Sequence, residues 1–416
     1  MQEENKKILV KALSFGCRLN ALETEKIQAF LLDQQIPAIL VNSCAVTAEA
    51  ERQAGQTVRK LAREYPLVPI FVTGCAATRN PALFLSIPNV LTIPNYDKLN
   101  ITAYIQALKT YPCNTINPNI LENFNVHTQK LSKQFIQVQN GCNHNCAYCV
   151  TRLLRGPAVS FEYKTILSEA KKAVQNGFYE IVLTGVDTAS YAIKQEGKPF
   201  LLSDLCKKLL SDLPEIKRLR LSSLDPASPE VLKIIDLIKH DKRMMPHIHL
   251  SMQSGSDTIL EAMHRRHSAE TVRKLVNYAD DKVSFGWDII CGFPGETEEL
   301  FQETLNLAKE LKPIRIHAFP FSPRPDTEAA TLPNQVNKSI SKKRVKIISE
   351  IASDNYNQFA QSLVGKIAQV LVEENNMART PDDLPVKITG KPIPSKTICD
   401  VFLSKLQEDT FIAEKM

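Results

Sequence analysis

Short apolar runs alternate with stretches of helical period along most of the chain. Residues 8–13, 38–41 and 70–73 read as strands. Between them, residues 23–32 and 48–64 carry apolar side chains at three- and four-residue spacing, the period of a helix face. Strand–helix–strand units of about 30 residues predict parallel strands, whose carboxyl ends share one edge of the sheet. The alternation resumes at 135–138, 180–184, 218–221, 247–250, 286–290 and 314–319, with helical patterns at 166–175, 203–213, 230–240, 269–279 and 299–311. Six strands alternating with helices predict a parallel barrel or partial barrel. Residues 337–360 read as a long helix with Lys342, Lys343, Arg344 and Lys346 near its start, and 367–372 and 385–388 as strands of a small β module. The stretch 111–119, with two prolines and no sustained period, reads as a connection. The expected class is therefore α/β. An open parallel sheet occupies 1–110, a linker 111–132, a (β/α)6 partial barrel 133–362 and a β module 363–416.

Composition narrows the setting. Hydrophobic residues make up 44% and charged residues 23% of the 416, an ordinary globular balance. Met1–Val10 lacks the apolar core of a signal peptide, and no apolar run approaches the roughly 18 residues of a membrane helix. A cytoplasmic protein with no membrane partner is expected. In that compartment the ten cysteines are expected to be reduced ligands or core residues. The net charge of +6 is compatible with an RNA partner and does not select one. Arg152, Arg155, Arg265 and Arg266 fall near strand or helix ends and read either as partners of RNA phosphates or as solvated charges.

The cysteines carry the chemistry. Cys142, Cys146 and Cys149 follow the first strand of the second series with spacing Cys-x3-Cys-x2-Cys. Thiolates are soft ligands suited to zinc, copper(I) or iron–sulfur clusters. A closed zinc site takes four ligands, and only His144 lies within this loop to add to the three. Three thiolates on a four-iron cluster leave one iron open to a small molecule. Cys17, Cys44 and Cys75 are far apart in sequence, yet each follows a strand of the N-terminal series. Parallel topology brings them to one edge, where a second three-thiolate set would form. Cys206 and Cys291 lie in apolar stretches and read as core.

With Tyr148 before its last cysteine, the Cys142–Cys149 loop resembles the cluster loop of radical S-adenosylmethionine (SAM) enzymes. The stretches 14–20, 41–47 and 72–76, around Cys17, Cys44 and Cys75, resemble the N-terminal domain of the radical SAM methylthiotransferase family. That resemblance covers nearly the whole chain. It implies two [4Fe-4S] clusters, a catalytic one on Cys142, Cys146 and Cys149 and an auxiliary one on Cys17, Cys44 and Cys75. It also implies SAM at the carboxyl ends of the barrel strands. Tyr148 would be a cofactor-binding residue, Gly185 and Asp187 would lie at the methionine end of SAM, Ser222 and Gln253 would be polar contacts, and Gly292 would approach the adenosine. The last segment resembles the small RNA-binding TRAM barrel, for which the residues after Val364 are few.

The resemblance implies methylthiolation of adenine C2 beside a tRNA anticodon, with SAM consumed both as methyl source and as radical source. Partners would be tRNA at its anticodon loop, a sulfur donor and an electron donor. Thr184-Gly185-Val186-Asp187 and Gly74-Cys75-Ala76-Ala77-Thr78 are most similar to the branch acting on N6-threonylcarbamoyladenosine. Arg18 is a candidate partner for the threonyl carboxylate. The branches acting on N6-isopentenyladenosine or on a ribosomal-protein aspartate stay open as alternatives, as does a cluster-bearing RNA-binding protein without radical chemistry.

Overall fold

The computed structural model describes residues 10–111 and 132–416; the linker expected at 111–132 lies almost wholly outside them. Strands β1 (Val10–Ser14), β2 (Ala38–Ser43), β3 (Ile70–Gly74) and β4 (Val90–Thr92) pair in that order, all parallel. Every residue of β2 and β3 is buried, which explains their continuous apolar runs: helices cover both faces. Helix Ala48–Glu64 starts where the Thr47 side chain accepts the Ala50 amide, with Glu49 and Glu51 in its first turn and Arg63 in its last. It packs Val58 and Leu61 against Ile39, Val41 and Val72. Helix Arg18–Asp33 places Ile27 and Leu31 against Leu40 and Phe71 on the other face.

The central region is a half-barrel. Strands β5 (Gln134–Gln137), β6 (Glu180–Thr184) and β7 (Arg218–Leu221) form one three-stranded parallel sheet. Strands β8 (His247–Gln253), β9 (Ser284–Cys291) and β10 (Arg315–Pro320) form another. The parallel bridges Leu219–Met244 and Leu224–Leu250 join the two. The order is β5-β6-β7-β8-β9-β10, and β5 and β10 are free edges among the described residues. Ile181, Leu183, Leu219, Ile248, Leu250, Trp287 and Ile289 pack under the outer helices. Alternate positions, including Glu180, Arg218, Arg220, His249, Asp288 and Arg315, face the other way, into the half-barrel.

The last segment has more strands than its sequence suggests. Strands β11 (Ile367–Val372), β12 (Met377–Arg379), β13 (Pro385–Thr389), β14 (Ile398–Gln407) and β15 (Thr410–Lys415) close a barrel around Val370, Val386, Val401, Leu403 and Phe411. Three of them escape a reading by pattern. β12 is three residues long, β14 breaks the period-2 alternation at Val401-Phe402-Leu403 and Ser404-Lys405, and β15 ends in charge.

Two buried ionic networks join these regions. Beneath the half-barrel, Asp383 takes Lys133 at 2.8 Å and Arg315 at 3.0 Å, and Arg220 donates to the Pro381 carbonyl at 2.9 Å. Glu180 holds Arg218 and Arg220 at 3.1 and 3.0 Å. The C-terminal barrel thus inserts its 380–384 loop into a basic floor. The second network centres on Glu23, whose side chain is fully buried and takes Lys98 at 2.5 Å and Arg155 at 3.0 Å. Arg155 also donates to Asn20 Oδ1 at 2.6 Å and Asn140 Oδ1 at 3.1 Å. It fits neither of the two readings its sequence position offered, a solvated charge or a partner of RNA phosphates, because its side chain is only 3% exposed.

Replacing Glu23 by Gln keeps the shape and strands two buried cations. Breaking a buried pair this way costs about 3–5 kcal/mol. Urea unfolding of the reduced apo-protein should show a loss of that order. A change within about 0.5 kcal/mol, the size of an ordinary surface substitution, would refute this role for Glu23.

Candidate active site

The Cys142–Cys149 loop leaves β5 and crosses the chain at Pro157. A Cβ on Gly141 (φ +68) would lie 1.9 Å from the Pro157 carbonyl oxygen, so only glycine passes there. Backbone bonds fix the loop: Cys142 N donates to Gly156 O at 3.1 Å, Ala147 N to Met263 O at 3.1 Å, and Ala329 N to Ala147 O at 2.9 Å. All three thiols are free and half-buried. Donors face them, with His144 N 3.4 Å from Cys142 Sγ and Arg265 Nη1 3.6 Å from Cys146 Sγ. Burial pushes the Cys142 thiol up to about 11, and Asp187, Cys149 and Cys146 add to the shift. Burial also raises the Tyr148 hydroxyl well above its ordinary value, with Cys146 beside it adding to the effect.

The second set forms where the sheet registers bring three strand ends together. Ser14 pairs with Asn42 and Ser43 with Gly74, so Cys17, Cys44 and Cys75 emerge side by side. Burial raises Cys44 to about 11, and the nearby Cys75 and Cys17 contribute. Cys75 Sγ accepts Asn95 Nδ2 at 3.4 Å, and Cys44 Sγ accepts the Val46 amide at 3.5 Å. Gly16, at φ +93, would carry a Cβ 2.5 Å from Cys44 Sγ, so the chain keeps bare backbone against that sulfur. Asn95 Nδ2 also reaches the Leu154 carbonyl at 3.1 Å, which ties this set to the helix just after Cys149.

Both sets fit a four-iron cluster. Each offers three soft thiols, unpaired with one another and met by N–H donors. Thiols raised to about 11 keep their protons at neutral pH unless a bound cation replaces them. Cys142, Cys146 and Cys149 would hold one cluster, and Cys17, Cys44 and Cys75 the other. Cys206 and Cys291 are fully buried core residues, as their apolar surroundings implied. Cys113 lies outside the described residues.

The remaining candidates fall into two groups. Gly185, Asp187, Ser222 and Gln253 all follow or end strands on the side of the cysteine loop. A Cβ on Gly185 would stand 2.9 Å from Gln139 Oε1. Asp187 Oδ2 takes His144 Nε2 at 2.6 Å and the Ser190 hydroxyl, so Asp187 orients the cysteine loop through His144. The Ser222 hydroxyl meets that of Thr188 at 2.7 Å. Gln253 ends β8 at φ +69. Gly292 stands apart. A Cβ there would lie 1.9 Å from Ser341 Oγ of the helix Lys338–Leu363, so its bare face is spent on close packing.

Sequence reasoning passed over Asp225, which gathers Arg265 at 2.9 Å and Arg266 at 2.7 Å beside the cysteine loop. Its position after β7 was the available signal. Arg265 is thereby committed to Asp225, Ser251 O and Cys146 Sγ, with a side chain 7% exposed, and is no RNA contact. Arg344 is likewise buried on Glu296 at 2.8 Å.

The half-barrel with its three-cysteine loop defines a radical SAM protein, and residues 136–308 match the Radical SAM superfamily model. Residues 9–93 match a second model, described as Uncharacterized protein family UPF0004. The chain belongs to the radical SAM methylthiotransferases. It is 38% identical over 392 residues to the threonylcarbamoyladenosine tRNA methylthiotransferase MtaB of Rickettsia prowazekii, covering 90% of each chain. Identity to MtaB of Chlamydia pneumoniae is 31%, over 97% of each. A tRNA-2-methylthio-N(6)-dimethylallyladenosine synthase of Pelagibacter ubique is 32% identical, over 88% of this chain and 87% of that one. Among solved structures, the radical SAM methyltransferase TsrM of Kitasatospora setae superposes with a TM-score of 0.55 at 14% identity. The match covers 78% of this chain and 77% of that one, a likeness of fold.

Gly16→Ala tests the second set without touching a cysteine. The variant should lose about half the iron of the reconstituted wild type, as expected of two equal clusters. Cys142→Ala/Cys146→Ala/Cys149→Ala should lose the other half. Full iron in Gly16→Ala would mean that Cys44 is not a ligand.

Proposed function

We propose that the protein methylthiolates C2 of N6-threonylcarbamoyladenosine next to the anticodon of tRNA, giving the 2-methylthio derivative. The observation that carries this reading is the pair of three-thiol sets, held on either side of the Glu23–Arg155 contact in a chain of this family. When bound there, two [4Fe-4S] clusters and SAM supply reductive SAM cleavage and the sulfur and methyl that end on the adenine.

The chain's own residues do the rest. Cys142, Cys146 and Cys149 would hold one cluster, and that cluster would supply the reductive chemistry toward SAM. Arg265, between Cys146 and Asp225, offsets the negative charge of the thiolates. Asp187 and His144 keep the loop in register with β6. Tyr148, Gly185, Ser222 and Gln253 bound the place where SAM would lie. Lys98 and Arg155 put buried positive charge beside Cys75, which stabilises the second set of thiolates. The family's anticodon loop presents an accessible base, which single-stranded RNA allows without opening a duplex. A cytoplasmic setting, with a sulfur donor and an electron donor as further partners, completes the reading. Among the described residues no helix is long and apolar enough to cross a membrane.

The substrate branch follows the MtaB relatives, and the two N6 groups differ by a carboxylate. A site that pairs that carboxylate rejects an isopentenyl group strongly, because the cation is left unpaired. Reconstituted enzyme offered both tRNAs with SAM, sulfide and reductant should methylthiolate only the threonylcarbamoylated one, read by nucleoside mass spectrometry. Product on the isopentenylated tRNA alone would move the protein to the other branch.

A further inference from the structure

The half-barrel does not close between β5 and β10, and a cavity of about 640 Å³ fills the gap. That is within the range of roughly 300–1,000 Å³ for pockets that hold a small organic molecule. Its walls come from three regions: Phe135, Arg315 and His317 from the edge strands, Arg18 from the first turn of helix Arg18–Asp33, and Arg379 and Asp383 from the C-terminal barrel. Leu22 of that helix packs on Phe135 and Val182, so the N-terminal region covers part of the gap.

The cations of this cavity are not equivalent. Lys133 and Arg315 share Asp383, at 2.8 and 3.0 Å. Arg379 pairs with Glu373 at 3.3 Å. Arg18 has no carboxylate within ion-pair distance among the described residues. Its guanidinium sits 5.7 Å from the Phe135 ring centroid, exposed to the cavity. Arg18 also directly follows Cys17 of the second thiol set.

We infer that Arg18, beside the Phe135 ring, is the residue that takes the terminal carboxylate of the N6 substituent, and that the gap between β5 and β10 is the pocket for that substituent. The assignment rests on the threonylcarbamoyladenosine reading above and names its recognition residue. A guanidinium fork matches a carboxylate through two parallel hydrogen bonds. Phe135 lies close enough for a cation–π contact with the guanidinium, 5.7 Å from the ring centroid. Adjacency to Cys17 puts this anchor beside the set that would supply sulfur.

The test uses two anticodon stem-loops, one carrying N6-threonylcarbamoyladenosine and the other its methyl ester, with reconstituted enzyme at matched iron content. Wild type should favour the acid by about tenfold or more in kcat/KM, the scale of losing one partner of a desolvated charge pair. Arg18→Gln should bring that ratio to about one by losing activity on the acid, and Arg18→Lys should keep part of the preference. Competition binding of the same two RNAs should show the same pattern in variant protein that takes up less iron. An Arg18→Gln enzyme that keeps the wild-type ratio would overturn the assignment. So would one that weakens acid and ester equally, the signature of a phosphate contact. Wild type that modifies neither RNA would instead refute the substrate reading beneath it.

Discussion

The Glu23 carboxylate is the contact on which the arrangement of this protein depends. It is fully buried, and it faces Lys98 from its own sheet domain and Arg155 from the stretch just after Cys149. Water cannot replace either partner there, so the three groups stay together or the regions come apart. The same Arg155 reaches Asn20, near Cys17, and Asn140, just before the cysteine loop. Two thiol sets that belong to separate folding units are thereby fixed relative to each other. Chemistry that passes a group from one site to the other needs a fixed geometry, since small misplacements cost large factors in rate.

Much of this was legible in the sequence. The parallel alternation located nine of the ten strands described above for the first two regions, missing only Val90–Thr92, and brought Cys17, Cys44 and Cys75 to one edge. This worked because buried parallel strands read as continuous apolar runs. Helix Ala48–Glu64 was bounded to the residue by its apolar period. The charges could not be read this way. Arg155, Arg265 and Arg344 look like surface cations in sequence, yet each is buried on a carboxylate far away in the chain. Periodicity reports which face a residue takes on its own element. It does not report which element arrives to cover that face. The C-terminal barrel was half visible for a related reason: its short strands draw stability from closure and not from local pattern.

The interior of the half-barrel shows what tertiary context adds. Parallel barrels usually fill their interiors with apolar layers. Here Glu180, Arg218, Arg220, His249, Asp288 and Arg315 occupy inward positions, and the charges balance only in part within the half-barrel itself. His249 and His317 converge on Asp288 at 3.0 and 3.5 Å, and Asp288 is lowered to about 2; burial opposes this shift, and the two histidines produce it. A polar interior of this kind suits a substrate with hydrogen-bonding edges and a charged tail.

Asp383 has a consequence for how the chain reaches this state. It neutralises Lys133 although 250 residues separate them, and it neutralises Arg315 as well. While the protein is being synthesised, both edges of the half-barrel emerge long before the loop that supplies their counter-charge. The floor of the half-barrel therefore cannot reach its final charge balance until the last barrel has formed. Contacts of such long range close slowly, because the loop entropy must be overcome before they contribute. The C-terminal barrel then acts as the closing step of assembly for the region that precedes it.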